Sequence, residues 1–182
     1  KDEFIEKFRA TLTEFFGEDI KKSPDYPRLI NHKNFDRLLS LIDQSKVKVG
    51  GDHDREGRYL SPTLLDNVDW SDKVMEDEIF GPILPMISFQ NLNDIIPKIL
   101  ERPRPLALYF FGENESAERR VLDRISFGGG CINDTVIHLA NPHLPFGGVG
   151  ASGIGSYHGE KSFQTFSHQK SIFKQMNKVD IP

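Results

Sequence analysis

The sequence predicts an α/β fold in three layers, in which helices cover a mainly parallel sheet. The main observation is that strand-like and helix-like segments alternate after residue 79, in the order strand, helix, strand, helix, strand. A second observation is size, because 182 residues with 37% hydrophobic content are enough for the core of one large domain. Two amphipathic helical segments precede this alternation.

The first half of the chain begins with the two helices. Apolar residues between Phe4 and Phe16 recur at helical spacing, and Asn31 is a suitable N-cap for the second helix. The apolar face of that second helix is expected to contain Phe35, Leu38, Leu39 and Ile42. Residues 47–49 and 59–65 then predict two extended segments on either side of a turn-rich loop.

The second half contains the alternating segments, with strands predicted at residues 83–89, 106–111 and 131–133 and helices at 92–100 and 115–125. Asn114 is placed to cap the last of these helices. Its inner face is expected to consist of Ala117, Val121, Leu122 and Ile125. Gly128 to Gly130 are expected to end it, and residues 163–173 predict a helix that passes into an edge strand.

Charge and apolar runs exclude several classes of protein. Acidic and basic residues are interspersed along the chain, and their net charge is −4. Because they form no basic stripe, a nucleic-acid partner is not indicated. The longest apolar runs are too short to cross a bilayer, and no leader peptide is recognisable, so we expect a soluble, unexported protein. The single cysteine fits a reducing compartment such as the cytoplasm.

The segment from Glu76 to Pro82 places acidic residues directly before an aromatic residue, a glycine and a proline. An ordinary solvated turn explains this composition. A functional alternative is a carboxylate that accepts hydrogen bonds from sugar hydroxyls, with an aromatic ring beside it to contact a flat group. Composition alone favours the turn.

A second segment, residues 141–153, contains the spacing G-x-G-x-x-G at Gly148, Gly150 and Gly153. A dinucleotide-binding fingerprint also requires a preceding buried strand, a following helix and an acid about 20 residues later. The preceding residues form a Pro-rich loop, and the acid is missing. The sequence therefore predicts a tight glycine loop and not a phosphate cradle.

Cys131 is the third feature that we considered as a site. Its sequence neighbours offer no cation or base that would activate a thiol, so a packed strand residue is the favoured interpretation over a nucleophile. The six histidines show no spacing typical of metal ligands, and no metal site is predicted.

Together these segments resemble the aldehyde dehydrogenase family over nearly the whole chain. Residues 78–82 resemble its E-I-F-G-P element, and residues 145–153 resemble its P-F-G-G…S-G loop. Pro105 to Tyr109, Asn133-Asp134 and residues 157–168 are similar specifically to class 3 members. The resemblance implies that a cysteine thiolate attacks an aldehyde, that NAD or NADP accepts hydride, and that a glutamate-activated water releases the carboxylic acid.

The resemblance also implies roles for particular residues. Glu78 matches the glutamate that binds the nicotinamide ribose, and Phe80 matches the aromatic residue beside the nicotinamide. Asn133, His138 and Phe146 fall in segments that approach the substrate tunnel. The nucleophilic cysteine, the glutamate base and the main nucleotide-binding domain are expected upstream of Lys1, so the isolated chain is expected to be inactive.

The family's architecture implies two regions, a catalytic-domain portion at residues 1–140 and an active-site loop with an oligomerisation tail at residues 141–182. We therefore expect a C-terminal extension toward an oligomerisation sheet, exposed strand edges and a homodimer. Two alternatives remain, a non-catalytic interaction module on the same fold and an acyl-phosphate reductase of the related superfamily. An in-frame upstream segment bearing the cysteine would favour the dehydrogenase over the interaction module.

Overall fold

The computed structural model describes residues 1–177 and divides the chain into two units, Lys1–Ser88 and Phe89–Pro182. Residues 178–182, the end of the predicted oligomerisation tail, lie outside the described part. Each unit has its own buried cluster of apolar side chains.

The first unit begins with helices α1 (Asp2–Phe16) and α2 (His32–Leu39). Asn31 caps α2 as predicted, because its side-chain oxygen accepts a hydrogen bond of 2.8 Å from the Asn34 backbone N–H. Phe35 and Leu38 are completely buried on the inner face of α2. Ile42 was predicted to lie on this helix, but α2 ends at Leu39. Ile42 nevertheless packs against the same core, as predicted.

Five short strands follow in the first unit: β1 (Val47–Val49), β2 (His53–Asp54), β3 (Tyr59–Leu60), β4 (Thr63–Leu65) and β5 (Ile83–Pro85). One sheet has the order β1-β4-β5, in which β4 pairs with β5 in parallel and with β1 in antiparallel orientation. Strands β2 and β3 form a separate antiparallel pair.

Strand β5 is much shorter than the predicted strand at residues 83–89. It ends at Pro85, which has no backbone N–H to donate to a continuing ladder. Its first residue, Ile83, is buried in the main core of this unit. That core contains Phe35, Leu38, Leu60, Leu65, Val68, Val74 and Ile83.

The second unit contains α3 (Leu92–Leu100), β6 (Ala107–Phe110), α4 (Glu115–Arg124), β7 (Gly129–Ile132) and α5 (Gly159–Thr165). Strands β6 and β7 pair in parallel, with Ala107 opposite Gly129. The strand–helix–strand order predicted from the sequence is therefore confirmed here, and the fold is of the α/β class.

Three details of the predicted second unit are different in the structure. Leu122 was predicted to face the core but is 40% exposed. Of the predicted inner face, Val121 and Ile125 are buried in one cluster with Ile96. Gly129 and Gly130 do not end a helix but form the start of β7. Between Phe166 and Asn177 the structure has no strand, so the edge strand is not found among the described residues.

Candidate functional site

Glu78 and Phe80 lie on either side of Ile79 in the loop that leads into β5. The Ile79 side chain packs against the main core of the first unit. Its carbonyl oxygen accepts a hydrogen bond of 2.7 Å from the Arg37 guanidinium. The partly buried central residue therefore anchors the loop, while both flanking side chains remain exposed to solvent.

Phe80 has an unusual backbone conformation, with φ at +45° and a side chain that is 78% exposed. A bulky residue in the left-handed region costs about 1–3 kcal/mol, and such residues cluster at ligand-contacting sites. The next residue, Gly81, fits against the Leu38 side chain, and an added Cβ would lie only 2.4 Å from a Leu38 methyl carbon. This close contact holds the loop in the conformation that exposes the Phe80 ring.

The properties of this loop fit the group that the resemblance implies. Within residues 1–177 the Glu78 carboxylate forms no hydrogen bond or ion pair, so its oxygens are available to hydroxyl donors. The exposed ring of Phe80, two residues away, offers an apolar face to a flat ring system. These residue types suit a ribose with two hydroxyls next to a nicotinamide.

Asn133 joins the ends of β6 and β7 in the second unit. Its side-chain oxygen accepts a 2.7 Å hydrogen bond from the Gly112 N–H, and its amide nitrogen donates to the Gly112 carbonyl at 3.0 Å. Its backbone N–H donates to the Phe110 carbonyl at 2.7 Å. The side chain of this predicted pocket residue is thus engaged in holding two strand ends together.

His138 and Phe146, the other two predicted pocket residues, are in contact. Their ring centroids are 6.1 Å apart, and the His138 ring also meets Tyr109 at 5.9 Å. The Phe146 ring meets Tyr157 edge-on at 5.9 Å, and these two residues exchange both backbone hydrogen bonds. Four rings from separate segments therefore form one chain of contacts, which we call the aromatic cluster: Tyr109, His138, Phe146 and Tyr157.

Cys131 is buried in β7, as predicted for a packed strand residue. The structure adds a partner that sequence reasoning missed, because the His138 Nδ1 atom lies 3.4 Å from the Cys131 Sγ atom. The chain folds back between them at Val136, whose φ is +63°. No spacing rule reveals this turn, since a β-branched residue rarely adopts positive φ.

The glycine-rich segment forms a tight loop, which confirms the prediction. Gly150 and Gly153 pair across the loop, and both have positive φ, at +63° and +153°. The Ser152 hydroxyl closes the loop by accepting from the Val149 N–H at 2.9 Å. An added Cβ at Gly148 would lie 2.1 Å from the Ser152 carbonyl oxygen, so close backbone approach explains this glycine.

Two further findings apply to residues 1–177 only. No cluster of three or more histidine, cysteine or acidic side chains is suitably arranged to bind a metal ion there. No helix in this part combines the length and the apolar character that a membrane span requires. The candidate residues are therefore Glu78 and Phe80 in the first unit and the aromatic cluster in the second.

Comparisons with known proteins identify the family of this chain. The family model described as the aldehyde dehydrogenase family matches residues 1–172. The 4,4'-diaponeurosporen-aldehyde dehydrogenase of Staphylococcus aureus is 53% identical over 177 residues, which are 96% of this chain and 39% of that protein. The dimeric NADP-preferring aldehyde dehydrogenase of Mus musculus, a class 3 relative, is 46% identical, covering 100% of this chain and 42% of that protein.

A solved structure of Staphylococcus aureus AldH in a substrate-bound state has the same fold. It superposes with a TM-score of 0.94 at 51% identity, covering 100% of this chain and 40% of that chain. The chain thus spans about two fifths of the length of the relatives it matches. The family match over residues 1–172, together with the α/β fold, shows that this chain belongs to the aldehyde dehydrogenase family and is similar to its class 3 members.

Proposed function

We propose that this chain supplies cofactor-orienting and substrate-contacting residues to an NAD(P)-dependent aldehyde dehydrogenase that oxidises aldehydes to carboxylic acids. The observation that carries the proposal is the anchored loop at Glu78 and Phe80. A free carboxylate and an exposed ring are held there by the packing of Ile79 and by the close contact of Gly81 with Leu38. Family membership supplies the reaction class.

The roles of this chain in that reaction are binding and orientation. Glu78 accepts hydrogen bonds from the two ribose hydroxyls, and Phe80 contacts the nicotinamide ring that this ribose carries. NAD or NADP supplies the hydride acceptor when it is bound. Because ångström-scale displacement of reacting groups can lower a rate about 100-fold, a rigid loop at these residues contributes directly to turnover.

The aldehyde-contacting residues are proposed to lie in the second unit. The rings of His138 and Phe146 form part of a wall for an apolar aldehyde, supported by Tyr109 and Tyr157. Asn133 positions this wall by joining β6 to β7 rather than by contacting the aldehyde. Residues 141–182 accordingly serve as the active-site loop and tail, and residues 1–140 as the catalytic-domain portion.

The nucleophile and the general base are proposed to come from outside these 182 residues. The sequence has one cysteine, Cys131, and it is buried in β7 against His138. Its burial and strand position support a packing role. We infer that the 182-residue chain alone does not oxidise aldehydes, and that the natural protein works in a reducing compartment such as the cytoplasm.

The test is Glu78→Gln in the natural protein that carries this sequence. The amide keeps the size of the side chain but loses the charge and one acceptor, so kcat with either NAD or NADP should fall about 100-fold. The measurement is steady-state formation of the reduced nicotinamide at 340 nm, in the conventional absorbance assay. Glu76→Gln is the matched control, since Glu76 is an exposed acid in the same segment, and it should leave kcat unchanged.

The result also decides between the two classes of function. Unchanged kcat in the Glu78 variant, or an equal loss in the Glu76 variant, would contradict the cofactor role. An absence of any aldehyde oxidation in the natural protein would favour the alternative, a non-catalytic interaction module. The observation that supports the alternative is the large apolar exposure of residues 163–176, which suits association with a second copy of the protein.

A further inference from the structure

A cavity of about 530 Å³ lies in the second unit, where the C-terminal ends of α3 and α4 meet the chain that enters β6. Three arginines line it: Arg102, Arg104 and Arg124. Its volume is within the range of small-molecule sites, about 300–1,000 Å³. None of the residues assigned above to the cofactor or the aldehyde lines this cavity.

Among the described residues, the charge of this cavity is one-sided. Within residues 1–177 no acidic side chain lines it, although the chain as a whole has a net charge of −4. The acids that are nearest in sequence face elsewhere, since Glu101 contacts Lys98 at 3.9 Å and Asp123 lines neighbouring surface hollows around Arg119. Within residues 1–177, Arg104 and Arg124 form no ion pair or hydrogen bond through their side chains. An anion in the cavity would compensate the positive charges of Arg104 and Arg124.

We propose that this cavity binds a small organic molecule with a phosphate monoester group and an apolar body. A guanidinium presents a planar fork of donors that matches phosphate oxygens, and a phosphate monoester carries a charge of about −1.5 to −2 at pH 7. Several arginines around one space therefore suit a phosphate better than a singly charged carboxylate. The Ser126 hydroxyl at the same cavity is a further hydrogen-bonding group.

The remaining lining residues of the cavity suit an apolar body on the ligand. Leu100, Pro103 and Ile125 give the cavity an apolar side on which a ring or a short chain can pack. Gly150 lies beside Arg104, and an added Cβ there would lie 3.3 Å from the Arg104 Nη1 atom. A small residue at this point leaves the Arg104 guanidinium room to turn toward the ligand.

The test is calorimetric titration of the natural protein with phenyl phosphate, in buffer with NAD saturating so that cofactor-binding residues are occupied. Arg104→Gln and Arg124→Gln are each expected to raise the dissociation constant at least about tenfold, the effect of losing a charged hydrogen bond. Arg119→Gln is the matched control, because Arg119 is also exposed on α4 but does not line this cavity. It should leave the dissociation constant unchanged.

Three parallel titrations separate the parts of the proposal. Inorganic phosphate should bind more weakly than phenyl phosphate, and benzoate more weakly still. Benzoate that bound as tightly as phenyl phosphate would overturn the assignment to phosphate. Protein captured by phosphatidic acid vesicles, but not titrated by phenyl phosphate, would overturn a small-molecule site in favour of a lipid headgroup.

Two further outcomes decide whether the cavity is the binding place. If Arg119→Gln weakened phenyl phosphate binding as much as Arg104→Gln and Arg124→Gln do, the effect would be one of overall charge, and the proposal would be overturned. The Glu78→Gln variant should retain full phenyl phosphate binding, so failure of the cofactor assignment and failure of this inference remain distinguishable.

Discussion

Left-handed backbone at residues with side chains occurs in three of the segments that carry the family resemblance. Phe80, Asn133 and His158 have φ values of +45°, +55° and +92°. Val136, next to the His138 turn, has φ of +63° although a β-branched side chain disfavours it. Such a conformation costs about 1–3 kcal/mol and persists where the surrounding structure imposes it. Arg58 and Asn67 have the same backbone conformation outside these segments, so positive φ alone does not mark a ligand contact.

His138 gives the first prediction at this scale. Its ring is buried between Cys131 and the two aromatic neighbours Tyr109 and Phe146. His138→Ala should lower the free energy of unfolding by about 2–3 kcal/mol, because it leaves a cavity and removes the partner of the thiol. Urea denaturation followed by circular dichroism measures this. His143→Ala at an exposed position should change it by less than about 0.5 kcal/mol, and similar midpoints for both variants would contradict the packing role.

The candidate residues differ in how far the sequence alone revealed them. Glu78 and Phe80 were predicted because residues 78–82 form a contiguous motif that resembles the family's E-I-F-G-P element, whereas composition alone favoured an ordinary turn. The contact between Cys131 and His138 was missed because it depends on the unusual turn at Val136. The side-chain bonds of Asn133 to Gly112 were missed for a related reason, since they join strand ends that are 21 residues apart.

At the scale of elements, helices were predicted more closely than strands. The start signals of helices are local, and three asparagines accept a backbone N–H within the first turn: Asn31, Asn91 and Asn114. Strand lengths depend on partners far along the chain. Thus β4 was predicted only as part of a longer segment, although it lies between an antiparallel and a parallel neighbour. Proline at position 85 was the local signal that could have shortened the predicted β5.

The N-cap of α4 gives the prediction at this scale. The Asn114 side-chain oxygen accepts a hydrogen bond of 2.9 Å from the Ala117 N–H. Asn114→Ala should destabilise the protein by about 1 kcal/mol, since one backbone donor of the first turn loses its partner. Hydrogen exchange of the α4 amides measures the local effect. Asn114→Asp keeps an acceptor and should retain protection, and equal exchange in both variants would contradict the capping role.

Ion pairs are a feature of the first unit as a whole. Several carboxylates of Lys1–Ser88 have their pKa lowered by a bonded cation, as for Asp36 with Arg55 and Asp72 with Lys46. The Asp36–Arg55 pair has two hydrogen bonds, of 2.8 and 2.9 Å. Because the pKa of each of these aspartates is lower in the folded protein than in the unfolded chain, the unfolded chain binds more protons at acidic pH. The stabilisation is present above the ordinary aspartate pKa of 3.8 and is lost as pH falls through the lowered values.

We therefore expect the first unit to lose a modest part of its stability below about pH 4, because these ion pairs are exposed to solvent. Fluorescence of Trp70 reports on this unit, since it is the sole tryptophan of the sequence. Urea midpoints measured from pH 7 to pH 3 should decrease in that acidic range, and Asp36→Asn should make the decrease smaller. Midpoints that remain constant down to pH 3 would show that these carboxylates do not couple folding to protonation.

Association of whole molecules is the last prediction, and it follows from the exposed apolar residues of the second unit. Ile154, Phe166 and Phe173 are 100%, 87% and 84% exposed, which is costly for a stable monomer. We expect the natural protein to be a homodimer, and Phe166→Ser combined with Phe173→Ser should shift it toward the monomer. Size-exclusion chromatography with light scattering measures the mass. Phe15→Ser, at an exposed position on α1, should leave the mass unchanged, whereas a stable monomer of the unmodified protein at high concentration would refute association.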